Sequence, residues 1–253
     1  MKYSMSHVGK TYLTKDGYFA TVIDGGSKQG TCLISFNGND DMILEVYVSN
    51  LKKGSVKNPN HRSVLGVGYF GVGKYKSSEN GKHTKAYSAW MSMMKRCYSY
   101  KSIIRNPTYS DVKVCEEWHN FQNFAKWFYD NYVDGYELDK DLLSGESKIY
   151  SPETCIFIPH QLNSFLTTNI QSSNTSGNSG VYWDKNCKRW RSSISIDGTK
   201  YERLGSFKEK GDAIKAYNEK RKQMANIWKE RMAGILPEDV VKKYKIIKRL
   251  FYI

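Results

Sequence analysis

Residues 179–228 read SGVYWDKNCKRWRSSISIDGTKYERLGSFKEKGDAIKAYNEKRKQMANIW. Three runs in this stretch alternate in polarity: Val181 to Asp184, Arg189 to Ile196, and Lys200 to Ser206. Lys185 to Lys188 and Asp197-Gly198 separate them as turns, so the spacing predicts a three-stranded antiparallel sheet. From about Glu209 to Trp228 the apolar spacing changes to three and four. Ala213, Ala216, Tyr217, Met224 and Trp228 then share one helical stripe, and its two alanines allow close approach to a sheet. Alternation sorts the strands into two faces. Val181, Trp183, Trp190, Ile194, Ile196 and Leu204 are expected to face the helix. Tyr182, Arg189, Arg191, Ser193, Ser195, Tyr201 and Arg203 are expected to face away, forming a row of Arg, Ser and Tyr.

The charge of the chain points to the same segment. Its 253 residues carry 39 Lys+Arg against 25 Asp+Glu, a net of +14. Residues 1–80 contribute +4, residues 81–170 contribute zero and residues 171–253 contribute +10. A field of that kind suggests a polyanionic partner; the alternative is a basic surface with no specific partner. A three-stranded sheet fits the DNA major groove, where Arg bonds guanine edges and Ser or Tyr reaches phosphates. The segment also resembles the APETALA-type domain of ethylene-response factors, found as well in phage and mobile-element endonucleases. The resemblance rests on Gly180-Val181, Trp190, Ile194, Gly198, Leu204-Gly205, Phe207, Ala213, Ala216 and Tyr217. It implies double-stranded DNA as partner, with Arg189, Arg191 and Arg203 at the basic sheet positions. Tyr182, Ser193 and Tyr201 stand beside them as further DNA-binding candidates.

Upstream, TNIQSSNTSGN at 168–178 is small and polar, and residues 169–178 read as a linker. Before it, residues 137–163 read ELDKDLLSGESKIYSPETCIFIPHQLN. Two strands are expected here, Tyr136 to Leu142 and Cys155 to Ile158, followed by a helix with Pro159 in its first turn. Two further helices precede them. One at 83–98 carries Tyr87, Trp90, Met91, Met94 and Tyr98; one at about 116–132 carries Trp118, Phe121, Phe124, Phe128 and Tyr132. With Arg96-Cys97, Pro107, Tyr109 and Cys115, this region (83–168) resembles HNH-type ββα-metal endonucleases of phage and homing elements. The resemblance implies a divalent cation, Mg²⁺ or Mn²⁺, held by Asp139 and Asn163, with Asp141 as a further ligand. Such a cation neutralises charge at the phosphate during phosphodiester cleavage.

The chain departs from that family at two positions. Lys140 stands where the general-base His is expected, and Thr154 stands where the Asn that orients it is expected. Lys140 serves as base only if burial lowers its pKa, and otherwise as a fixed charge for phosphate. His160, one turn before Asn163, is the alternative base, and His119 a weaker one. The expected function is a phage-type, metal-dependent DNA endonuclease. The alternative is a catalytically inactive DNA-binding regulator or anti-defence factor on the same fold, with Asp139 to Asp141 a solvated strand.

The rest completes a modular α+β reading. Residues 1–58 read as short strands around Asp16-Gly17, Gly25-Gly26 and Asn37-Gly38, a small barrel or curled sheet. Residues 59–82 form a Gly-rich connector without phosphate-loop spacing. Domain 179–231 is the reader. Within the basic tail 232–253, the stretch Pro237 to Ile253 is expected to form a short amphipathic helix, a candidate for packing on the chain or for homodimerisation. Cys97, Cys115 and Cys155 with His119 lack paired zinc-knuckle spacing and read as buried thiols. No apolar run is long enough for a membrane span and the N-terminus does not read as a signal peptide, so a cytoplasmic protein is expected, in the host cell if phage-encoded.

Overall fold

The computed structural model describes residues 2–37, 39–144, 147–166, 170, 174–196 and 200–233. It is a mixed α+β structure with several sheets, none of them closed into a barrel. The basic tail from 234 onward and the Asp197-Gly198 turn lie outside the described residues. The chain forms two compact units, Met1–Ser110 with Val114–Trp127, and Asp111–Lys113 with Phe128–Ile253.

The first unit begins with β1 (Thr11–Leu13), β2 (Phe19–Gly25), β3 (Thr31–Phe36) and β4 (Asn39–Tyr47), an antiparallel sheet in sequential order. Each strand pairs with its sequence neighbour because the intervening turns are tight. The sheet stays open; of the two shapes expected for 1–58, it is not the barrel. α1 (Val48–Lys52) lays Val48 and Leu51 against Ala20, Val22, Ile34 and Phe36 to form its core. The Gly-rich stretch contains a hairpin, β5 (Ser78–Glu79) and β6 (Lys82–His83), around Asn80-Gly81. It is otherwise clamped by Gln122, whose side-chain amide accepts from the Tyr75 N–H and donates to the Tyr75 carbonyl, each at 2.9 Å.

α2 (Lys85–Tyr98) starts at Thr84, whose hydroxyl accepts from the Tyr87 N–H. It buries Ala86, Trp90, Met93, Met94 and Cys97. α3 (Tyr100–Arg105) follows at once and is not expected from the sequence. The short β7 (Lys113–Val114) precedes α4 (Phe121–Asn131), whose first turn is capped by the Asn120 side chain at the Gln122 N–H. Within the first unit Trp90 donates its indole N–H to the Trp118 carbonyl at 2.7 Å, so the buried Trp90 ring keeps a partner.

The second unit contains β8 (Tyr136–Asp139), α5 (Asp141–Ser144), β9 (Ile149–Tyr150), β10 (Ile156–Pro159) and α6 (His160–Leu166). β8 and β10 pair antiparallel with Glu137 opposite Ile158 and Asp139 opposite Ile156. The strand expected as far as Leu142 ends at Asp139. The Asp139 carboxylate accepts the Leu142 N–H at 2.7 Å, which turns the chain into α5.

Next come β11 (Val181–Asp184), β12 (Arg189–Ser195), β13 (Tyr201–Phe207) and α7 (Lys210–Ala233). The three strands form one antiparallel sheet in that order. A bulge sits where Ser192 pairs with Gly205 but Ser193 pairs with Arg203, leaving Leu204 extra. Strict alternation carries Ser206 inward; the bulge turns it out and returns Phe207 to the core. Gly180 is required by its surroundings. Its φ is +68°, and a Cβ there would lie 2.2 Å from the Tyr217 ring and 2.3 Å from the Ser193 carbonyl.

α7 buries Ala213, Tyr217, Arg221, Met224, Trp228 and Met232, a stripe at spacings of three and four. The charged member, Arg221, is only 7% exposed. It donates to the Phe165 carbonyl at 3.0 Å, lies 4.6 Å from the Phe165 ring centroid, and approaches the Tyr217 hydroxyl at 3.5 Å. It thereby satisfies a carbonyl near the end of α6 that helix geometry leaves unpaired. Leu142, Ile158, Leu162, Phe165 and Leu166 accordingly share one core with Val181, Ile194, Tyr217 and Trp228. Residues 174–178, between α6 and β11, form a hydrogen-bonded knot. The Asn174 side-chain oxygen accepts from the Ser176 and Gly177 N–H groups at 2.8 and 2.9 Å, and its amide donates to the Asn178 carbonyl at 2.9 Å.

Candidate functional site

β8 presents alternate side chains to one side, so Glu137 and Asp139 share a face. α6 begins directly after β10, which pairs with β8, and this brings the helix's first turn over Glu137. The carboxylate gathers two groups from that helix. His160 Nδ1 lies 2.8 Å from Glu137 Oε1, and Asn163 Nδ2 donates to Glu137 Oε2 at 2.7 Å. The carboxylate only accepts, so His160 carries its proton on Nδ1 and its Nε2 is the basic atom. Ser164 Oγ stands 3.5 Å from Nε2, one helical turn on. All three partners are reachable by solvent: the side chains of His160 and Glu137 are about half exposed, and Asn163 sits on the same turn.

Sequence reasoning passes over Glu137 because the DKD motif beside it draws the carboxylate assignment. The available signal is its place two residues before Asp139, on the same strand face.

The other expected residues fall as follows. Lys140 is buried, its ammonium 2.7 Å from an Asp141 carboxylate oxygen and 5.7 Å from the Tyr150 ring centroid. Asp141 opens α5, so it does not continue the strand face of Asp139. Thr154 is engaged in its own turn. Its hydroxyl donates to the Ile149 carbonyl at 2.6 Å and accepts from the Ser151 N–H at 2.9 Å. His119 belongs to the first unit, where Nε2 meets the Tyr98 hydroxyl at 3.2 Å. Burial first, and then the Arg62 charge, hold its pKa below the ordinary value. Cys32, Cys97 and Cys155 are buried, Cys115 is half-buried and Cys187 is exposed. Burial pushes the Cys155 thiol up to about 12, which keeps it neutral.

For a divalent cation, the donor chemistry is that of hard oxygen ligands: the carboxylates of Glu137 and Asp139 and the amide oxygen of Asn163. Mg²⁺ is commonly held by one or two carboxylates, with water and substrate phosphate completing its shell, and this set fits that pattern. Among the described residues no three His, Cys, Asp or Glu side chains are gathered to hold a metal.

The C-terminal sheet is the second element of the site. On its outer face Tyr182 pairs with Arg191 and Arg191 with Ser206, while Ser193 pairs with Arg203 and Ser195 with Tyr201. Arg189 and Arg203 are exposed, and Tyr201 is 70% exposed. Arg191 differs from the other two arginines. Its Nε lies 2.6 Å from the Asp184 carboxylate and its Nη2 donates to Cys187 Sγ at 3.2 Å. The backbone N–H of Cys187, then that of Asn186 and the Arg191 charge, hold the Asp184 carboxyl below its usual range against a smaller opposing effect of burial. Tyr182, Ser193 and Tyr201 also line a cleft of about 400 Å³, together with Tyr217 and Arg221. On the inner face, Glu202 pairs with Lys220 of α7 at 2.8 Å, which fixes which side of the sheet meets the helix.

No helix among the described residues is long and apolar enough to cross a membrane. Comparison with protein-family models, with curated proteins and with solved structures finds no match.

Proposed function

We propose that the protein is a DNA endonuclease that grips the duplex through the outer face of β11–β13 and hydrolyses a phosphodiester at the Glu137–His160–Asn163 cluster. The observation that carries this reading is the cluster itself: one carboxylate holds both an imidazole and an amide at solvent, on a strand–strand–helix frame. Glu137 fixes His160 in the tautomer whose Nε2 accepts a proton from an attacking water. Asn163 donates its NH₂ to the same carboxylate. A Mg²⁺ or Mn²⁺ held by Glu137, Asp139 and Asn163 would supply charge neutralisation at the phosphate. His160 thus takes the base role that the resemblance places at Lys140. Lys140 serves as an internal ion-pair partner, and Thr154 as a turn pin. Arg189 and Arg203 contact phosphates or guanine edges, with Tyr182, Ser193 and Tyr201 beside them.

The test is incubation of supercoiled DNA with the protein and Mg²⁺ or Mn²⁺, with a chelator control. Metal-dependent nicking that His160→Ala and Asn163→Ala each abolish supports the reading. Tight binding with no cutting under either metal leaves the second reading, a DNA-binding regulator on the same frame. That reading is favoured by the basic sheet face alone.

A further inference from the structure

Residues 81–170 are neutral in sum, but the neutrality conceals a partition. Lys82, Lys85, Lys95, Arg96, Lys101 and Arg105 all fall within 81–105, where no acidic residue stands. Every carboxylate of the 81–170 stretch lies beyond Arg105. The structure puts these cations on α2, α3 and the hairpin before them, and all six are exposed.

On α2 the outward positions are Lys85, Ser88, Ser92, Lys95 and Arg96, with the half-buried C-cap Ser99 completing the row. At about 100° per residue they occupy one face roughly a quarter-turn wide. Opposite them lie the buried Trp90, Met93, Met94 and Cys97. The face therefore holds only cations and small hydroxyls, a composition that lets a phosphate come close. α3, which follows directly, carries the exposed Lys101 and Arg105. Beside these stand two large apolar side chains one turn apart, Tyr100 at 78% exposure and Ile104 at 61%.

We propose that α2 and α3 form a second contact surface for double-stranded DNA, separate from the C-terminal sheet. The inference rests on the DNA-binding reading above. Lys95, Lys101 and Arg105 neutralise backbone phosphates, the serines of α2 bond phosphate oxygens, and Tyr100 and Ile104 pack against sugars or wedge at a base step. Charge complementarity selects the occupant. A helix lying on a membrane presents an apolar face beside its basic one, and every apolar position of α2's buried side is already taken by the core.

The test is a salt titration of binding to a labelled duplex by the full-length protein. Lys95→Ala/Lys101→Ala/Arg105→Ala should weaken binding at least about 10-fold and make the slope of log K against log salt shallower by about 2 to 3, at roughly 0.9 for each phosphate no longer neutralised. Lys95→Arg/Lys101→Arg/Arg105→Lys should keep both. The single Lys101→Ala carries the same test with a slope change of about 1, should the triple variant fold poorly. Wild-type affinity and slope in both alanine variants would overturn the inference and leave DNA binding by the sheet intact. Absence of salt-dependent binding by the wild-type protein overturns the functional reading as well. Binding to phosphatidylserine vesicles that the triple variant loses, with duplex binding unchanged, assigns the surface to lipid and likewise overturns the inference.

Discussion

Glu45 and Glu137 are both glutamates on strands that collect several donors, yet the donors differ in kind. Glu45 on β4 accepts from the Thr31 hydroxyl at 2.6 Å, from the Ser27 hydroxyl, and from the N–H groups of Ser27 and Lys28. Those groups have no further chemistry to offer, and the result is a pinned turn between β2 and β3. The hydroxyls of Thr31 and then Ser27 hold the Glu45 pKa down to about 2. Glu137 collects an imidazole and an amide, groups that each carry a second atom of acid–base or ligand chemistry. A carboxylate that closes a turn is structural. One that orients other functional groups is a candidate for catalysis.

The largest expected effect breaks the comparison at Glu137. Glu137→Gln should lower DNA nicking by about 100-fold or more while leaving duplex affinity within about 2-fold, because a neutral amide no longer fixes the His160 tautomer. Adding Asn163→Ala to Glu137→Gln should cost little more, since groups acting as a unit are not additive. Nicking at the wild-type rate in Glu137→Gln would reduce Glu137 to a second Glu45.

Next comes the support behind the cluster. Arg221→Ala removes a buried cation from the α6 carbonyl and from the Phe165 ring, and should lower stability by about 2–3 kcal/mol. Chemical denaturation measures it, and a loss under about 0.5 kcal/mol would show that the clasp is dispensable.

The arginines of the sheet give a smaller, graded effect. Arg203→Ala should weaken duplex binding about 10-fold, and Arg191→Ala clearly less, because Asp184 already offsets the Arg191 charge. Equal losses in fluorescence anisotropy titrations would mean that Arg191 leaves Asp184 on binding.

The smallest effect is at Glu45. Its folded pKa, about 2, lies below its ordinary 4.5. Its contribution to stability is therefore present above about pH 4.5 and lost as pH falls towards 2. Glu45→Gln should flatten the acid side of the stability profile in that window and leave nicking at neutral pH unchanged.

The C-terminal sheet and its helix are largely legible in the sequence, because periods of two and of 3.6 separate there without ambiguity. Ala213, Tyr217, Met224 and Trp228 fall where the spacing puts them. Arg221 escapes because a charged residue within an apolar stripe reads as a break, and only tertiary packing supplies the Phe165 carbonyl that it caps. In the central region the order strand, turn, strand, helix is legible, and so is the helix position of Asn163. The end of β8 at Asp139 is not, since a local side-chain bond to the Leu142 N–H overrides an apparently continuous strand. Glu137 shows only as a neighbour of Asp139 on one strand face, and its role is hidden for a similar reason: its partners lie on a helix more than twenty residues away. α3 is too short for periodicity to reveal.

The bulge at Leu204 and Gly205 gives the length of β13 a meaning that its composition does not carry. On either side of that point the same alternation runs with opposite parity, so Arg203 and Ser206 emerge together on the outside while Phe207 returns to the core. Straightening the bulge without changing the chain would send Ser206 inward and Phe207 into solvent, whereas removal of the extra residue Leu204 would leave a regular strand with Ser206 still outside and Phe207 still inside. The bulge therefore decides which residues beyond Leu204 join the binding face and which join the core, without altering a single charge.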